Sequence, residues 1–142
     1  MELVVMKKSI FIMLLILSIL LVGSQINKAE ASDYYLGVYD NGQKAYLITE
    51  TLKYSPYKYE EDGAGKYTCT VKAVFPNSNT FDKVYYEVNF GQMGAVITKN
   101  GRNYDRHEMV ELRKKTNSVE MKLVDFIKYY HQQEGRGSLD NY

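Results

Sequence analysis

The sequence predicts an α+β domain: an antiparallel sheet of five or six strands, laid out as hairpins in a meander, with one C-terminal helix packed on one face. Three observations carry this. The stretch from Lys66 to Phe90 alternates apolar and polar residues on both sides of a Pro76-Asn77-Ser78-Asn79 corner, which is the period of a half-buried hairpin. Two Asn-Gly pairs, Asn41-Gly42 and Asn100-Gly101, mark tight turns. Val119, Leu123, Phe126, Ile127 and Tyr130 recur at helical spacing.

The domain is expected to begin only after a leader. Lys7 and Lys8 precede the apolar run Ser9–Val22, and Ala29-Glu30-Ala31 has the small-x-small pattern of a signal-peptidase site. The run is short for a membrane span, which needs about 20 apolar residues. Residues 1–31 are therefore expected to be a signal peptide, residues 32–134 a single α+β domain and residues 135–142 a flexible C-terminal tail. Export to the periplasm, the cell surface or the medium follows, with the membrane met only through the signal peptide. Met6, directly before the lysines, is an alternative start to Met1.

Removing residues 1–31 from the 142-residue chain leaves 111 residues, enough for one core. Fifteen basic and fifteen acidic residues remain, so this part is formally neutral. Nucleic acid is not an expected partner, because a general affinity for it needs a basic footprint. Cys69 is the single cysteine. It excludes an intramolecular disulfide and cysteine-built metal sites. All fourteen tyrosines lie after residue 31, as suits half-buried sheet faces that keep hydroxyls wet.

Taken in order, Tyr34–Tyr39 and Lys44–Leu52 should pair through a type I′ turn at Asn41-Gly42, which needs positive φ at both central residues. Tyr46, Ile48 and Glu50 then share one face, and Ala45, Leu47 and Thr49 the other. Lys53–Gly65 carries Pro56, the acidic run Glu60-Glu61-Asp62 and Gly63-Ala64-Gly65, and reads as an exposed mobile loop. In the Lys66–Phe90 hairpin, Tyr67, Cys69, Val71, Ala73 and Phe75 face the core with Val84, Tyr86, Val88 and Phe90. Thr68, Thr70, Lys72 and Tyr85 face away. Gly91–Gly94 is a turn into a strand at Ala95–Thr98. Arg102–Lys115 is ambiguous, and a loop leading to a short strand near Met109–Leu112 is expected. Asn117 and Glu120 fit a capping box for a helix from Ser118 to about Gln133.

No residue pattern points to one chemistry. Adjacent acids at 60–62 supply too few ligands for calcium, and no metal or cofactor is expected. Tyr104-Asp105-Arg106-His107-Glu108 is the segment densest in functional groups. His107-Glu108 begins a zincin motif, but position 111 is Glu111 instead of histidine. His131 is expected to be solvated near the helix end. A small hydrolase using Asp105, His107 and Glu108 is one reading; convergence of these groups is its requirement. The other is a non-catalytic binding or interaction module. Its candidate residues are Tyr85, Thr68, Thr70, Lys72 and Tyr46, a tyrosine and threonine platform suited to a protein, peptide or glycan partner.

The Lys7-Lys8 leader, the Ala29-Glu30-Ala31 site and the Tyr35-Leu36-Gly37-Val38-Tyr39 opening resemble small exported bacterial proteins of unassigned function that carry a tyrosine-rich sheet. The resemblance implies export and assigns no site residue.

Overall fold

A computed structural model describes residues 33–142; the expected signal peptide lies outside these residues. The sheet has six antiparallel strands in sequence order: β1 (Tyr34–Val38), β2 (Lys44–Pro56), β3 (Gly63–Val74), β4 (Phe81–Gly91), β5 (Gly94–Lys99) and β6 (Arg102–Asn103). Two helices follow, α1 (Arg106–Lys114) and α2 (Val119–Gln133). The α+β expectation is met, with one helix more than the sequence suggested.

The alternation of the central hairpin places its side chains as expected. Tyr67, Cys69, Val71 and Ala73 of β3 and Val84, Tyr86, Val88 and Phe90 of β4 are buried. They pack with Leu47, Ile97 and the α2 residues Val119, Leu123, Val124 and Ile127. Phe75 departs from the pattern and is exposed, because β3 ends at Val74 and the chain turns there. Phe126 sits at the rim of the helix interface, against Tyr34 with ring centroids 4.5 Å apart.

The two Asn-Gly pairs behave differently. Asn100 and Gly101 both have positive φ, 50° and 79°, as a type I′ turn requires. At Asn41-Gly42 only the glycine does, at 84°. There the Tyr39 carbonyl accepts from Gly42 N–H, and Tyr39 N–H donates to the Gln43 carbonyl. This is a three-residue loop with glycine in the left-handed position, so the type I′ expectation is corrected.

Four features depart further from the sequence expectation. Lys53–Gly65 is not a loop throughout: β2 runs to Pro56 and β3 starts at Gly63. The glycines there serve close approach. A Cβ on Gly65 would lie 2.5 Å from the Ser55 carbonyl oxygen, and φ is +138°, so only glycine fits. The expected strand near Met109–Leu112 is α1 instead. Asp105 caps it by accepting from Glu108 N–H at 2.8 Å, and Glu108 Oε2 accepts from Asp105 N–H at 2.9 Å. The cap of α2 moves by one residue, from Asn117 to Ser118, whose hydroxyl accepts from Met121 N–H. Finally, Leu139 of the expected polar tail is buried in the core, and the Tyr142 carbonyl accepts from Lys128 Nζ.

Candidate functional site

Helices cover one face of the sheet and leave the other open. On the open face, β2 and β3 pair regularly from Lys44–Val74 to Ile48–Thr70, and resume at Lys53–Thr68. Thr49, Glu50, Thr51 and Leu52 therefore lie opposite the single residue Cys69, a β-bulge with three extra residues. Thr51 closes the gap. Its hydroxyl donates to the Ile48 carbonyl at 2.6 Å and accepts from Thr70 N–H at 2.9 Å.

A groove of about 710 Å³ lies beside this bulge. Glu50 and Lys53 line it from β2, Thr68 and Thr70 from β3, Tyr85 and Glu87 from β4, and Thr98 from β5. Tyr85 is 58 % exposed. Its backbone is clamped twice by Asn100: Tyr85 N–H donates to Asn100 Oδ1 at 2.9 Å, and the Tyr85 carbonyl accepts from Asn100 N–H at 2.8 Å. An exposed ring thus stands on a fixed backbone. A hydrogen bond from Asn89, with Lys66 nearby, holds the Glu87 carboxyl below its usual range, so Glu87 is ionised.

The groove brings together Tyr85, Thr68 and Thr70 of the expected platform. Lys72 and Tyr46 share the face and are paired in register, but they lie outside the groove. Lys72 is engaged by Asp33 and sits 5.3 Å from the Phe81 ring centroid. Tyr46 packs on Tyr35 at 5.3 Å.

The covered face holds polar groups that sequence reasoning missed. Glu120, Val124, Ile127 and His131 form one buried stripe of α2. Glu120 is 7 % exposed and His131 3 %. Glu120 Oε1 accepts from Tyr86 O–H at 3.1 Å, Tyr104 O–H at 3.3 Å and Lys99 Nζ at 3.1 Å. The Tyr39 and Tyr86 hydroxyls lie 2.9 Å apart. Since Tyr86 gives its proton to Glu120, Tyr39 donates to Tyr86. Burial pushes the Tyr39 hydroxyl up to about 12 and raises Tyr86 and Tyr104 as well, so all three stay protonated donors. The cluster borders a cavity of about 590 Å³ between the β1–β2 loop and the α1–α2 corner.

His131 meets Tyr67, whose hydroxyl lies 2.7 Å from Nδ1. Burial, and then the Arg136 charge, lower the His131 pKa. Burial pushes Tyr67 up to about 12. A neutral phenol therefore donates to a neutral imidazole. The expectation of a solvated His131 is corrected: the stripe position turns it onto the sheet, where Tyr54 of β2 packs against its ring at 5.2 Å.

The segment at 104–108 does not converge. His107 is exposed on α1, while Asp105 and Glu108 close the capping box and Arg102 Nη1 binds Glu108 Oε1 at 2.9 Å. Cys69 is buried and its thiol is pushed up to about 12 by burial, so it carries almost no thiolate near neutrality. Among the described residues, no group of three or more His, Cys, Asp or Glu side chains could hold a metal ion, and no helix is long and apolar enough to cross a membrane. The chain matches no protein-family model, no curated protein and no solved structure.

Proposed function

We propose that the mature chain is an exported, non-catalytic binding protein of the bacterial cell envelope or secretome, and that it holds a glycan in the open-face groove. The observation that supports this is the exposed Tyr85 ring among the hydroxyls of Thr68, Thr70 and Thr98. An aromatic ring offers a flat apolar surface to the C–H face of a sugar, and tyrosine does so at low entropic cost. The threonine hydroxyls both donate and accept, as sugar hydroxyls do. Glu50, Glu87 and Lys53 add both charge signs, which suits an uncharged polar ligand better than a strongly ionic one.

The hydrolase reading gains no support, since His107 stands in solvent and its neighbouring carboxylates are spent on the cap of α1.

Titration of isotope-labelled mature protein with envelope oligosaccharide fragments checks the proposal. Saturable shifts at the amides of Thr68, Thr70 and Tyr85 are expected, and Tyr85→Ala should weaken them at least tenfold, the loss of about 1.4 kcal/mol. Equal binding by wild type and Y85A, or no shift in the groove with any fragment, rejects it.

A further inference from the structure

The two edges of the sheet are finished differently. At the β5–β6 edge, β6 pairs with Thr98 and Lys99. Beyond it, Tyr104 N–H donates to the Ile97 carbonyl at 2.9 Å, and Arg113 Nη2 donates to the Ala95 carbonyl at 3.2 Å. That edge is closed by the chain itself. Among the described residues, the β1 edge has none of this. Its sequence, Tyr34-Tyr35-Leu36-Gly37-Val38, carries no lysine, proline or other charge to discourage pairing. An irregularity between Tyr35 and Gly37 leaves Leu36 as the extra residue of the β1–β2 ladder.

Beside this edge α2 presents a matching stripe. Lys122, Asp125, Phe126 and Tyr129 line a hollow of about 270 Å³ together with Tyr34 and Tyr35. Tyr34 is 48 % exposed, Tyr35 52 % and Tyr129 62 %. The patch joins a strand edge to an aromatic helix flank, and one cation and one anion stand on that flank, three residues apart. Both are exposed, and among the described residues neither has an ion-pair partner.

We infer that this surface pairs with a second copy of the chain about a two-fold axis, β1 against β1 and α2 against α2. The charge pattern favours this occupant. In an antiparallel helix pair whose axis passes between residues 122 and 125, Lys122 of each copy faces Asp125 of the other, and both pairs are attractive. A two-fold interface must be self-complementary, and a cation and an anion flanking an aromatic centre meet that condition. The strand edge supplies backbone hydrogen bonds and Tyr–Tyr cross-strand contacts. The helix flank adds area toward the roughly 800 Å² per partner of a stable interface. The inference is independent of the glycan reading, since the groove beside Tyr85 shares no lining residue with this patch.

Sedimentation of the mature protein over a concentration series tests it, with far-UV circular dichroism confirming the fold of each variant. Wild type should show a concentration-dependent dimer. Asp125→Lys and Lys122→Asp should each raise the dissociation constant at least about tenfold, because each places like charges together twice. The double variant K122D/D125K should dimerise again. An equimolar mixture of the two single variants should form a heterodimer, since every cross pair is then opposite in sign. A wild type that stays monomeric at every concentration overturns the inference, as does a dimer indifferent to both single variants. Binding of an extended peptide along β1 by a monomeric wild type also overturns it, and assigns the edge to a different partner.

Discussion

The two ends of the buried stripe of α2 solve one problem in two ways. Each puts a polar side chain under the helix and meets it with tyrosine hydroxyls from the sheet. At Glu120 the buried group is an anion, held by two phenols and the Lys99 ammonium. At His131 it is a neutral ring, held by one phenol. The contrast teaches why tyrosine dominates this composition. Its ring fills the core while its hydroxyl follows the demand of whatever lies above it. An anion requires several charge-assisted donors; a neutral imidazole is satisfied by one.

The contrast is broken most strongly by removing the anion. Glu120→Ala strands Lys99 and two phenols and should cost about 3 kcal/mol in urea unfolding. Replacing Glu120 and Lys99 together by methionine should recover most of that. A single-variant loss below about 1 kcal/mol would show that the cluster contributes little. At the other end, Tyr67→Phe leaves His131 Nδ1 without its donor and should cost about 1 to 2 kcal/mol.

The ends also differ in acid. His131 titrates below its unfolded value, so the unfolded chain takes up its proton first as the pH falls. The stabilisation from neutral, buried His131 is complete above about pH 6.5 and drains away as pH drops through the lowered folded value. Melting temperature should decline over that window, and His131→Gln should flatten the decline. An unchanged slope would remove His131 from the account. The smallest effect belongs to the open face. Tyr85→Ala should shift stability by no more than about 0.5 kcal/mol while weakening the ligand.

Legibility in the sequence followed the same physics. Sheet class and the inner face of β3 and β4 were readable because strict alternation has one structural meaning. The end of β2 was not. The bulge adds three residues, an odd number, so the inward positions change from odd to even, and Tyr54 rather than Lys53 turns to the core. Alternation scored across that step looks like no alternation. Helix α1 was hidden by its charge, although Asp105 and Glu108 have the spacing of a capping box. Glu120 was readable only as a cap residue. Its place four before Val124 and seven before Ile127 was the signal for burial. Of the platform, Tyr85, Thr68 and Thr70 were found by facing. The exclusion of Tyr46 and Lys72 depends on neighbours from β1 and Asp33, which a strand-by-strand reading does not contain.

The bulge at Thr49–Leu52 also sets which insertions and deletions this gene can carry there. Losing one codon leaves two extra residues and brings Tyr54 into plain alternation with Ala45 and Leu47, so it still faces the core. The codon that cannot be lost is that of Thr51, whose hydroxyl bridges the Ile48 carbonyl and the Thr70 N–H. Among variants of this chain, deletions at the bulge should therefore spare Thr51.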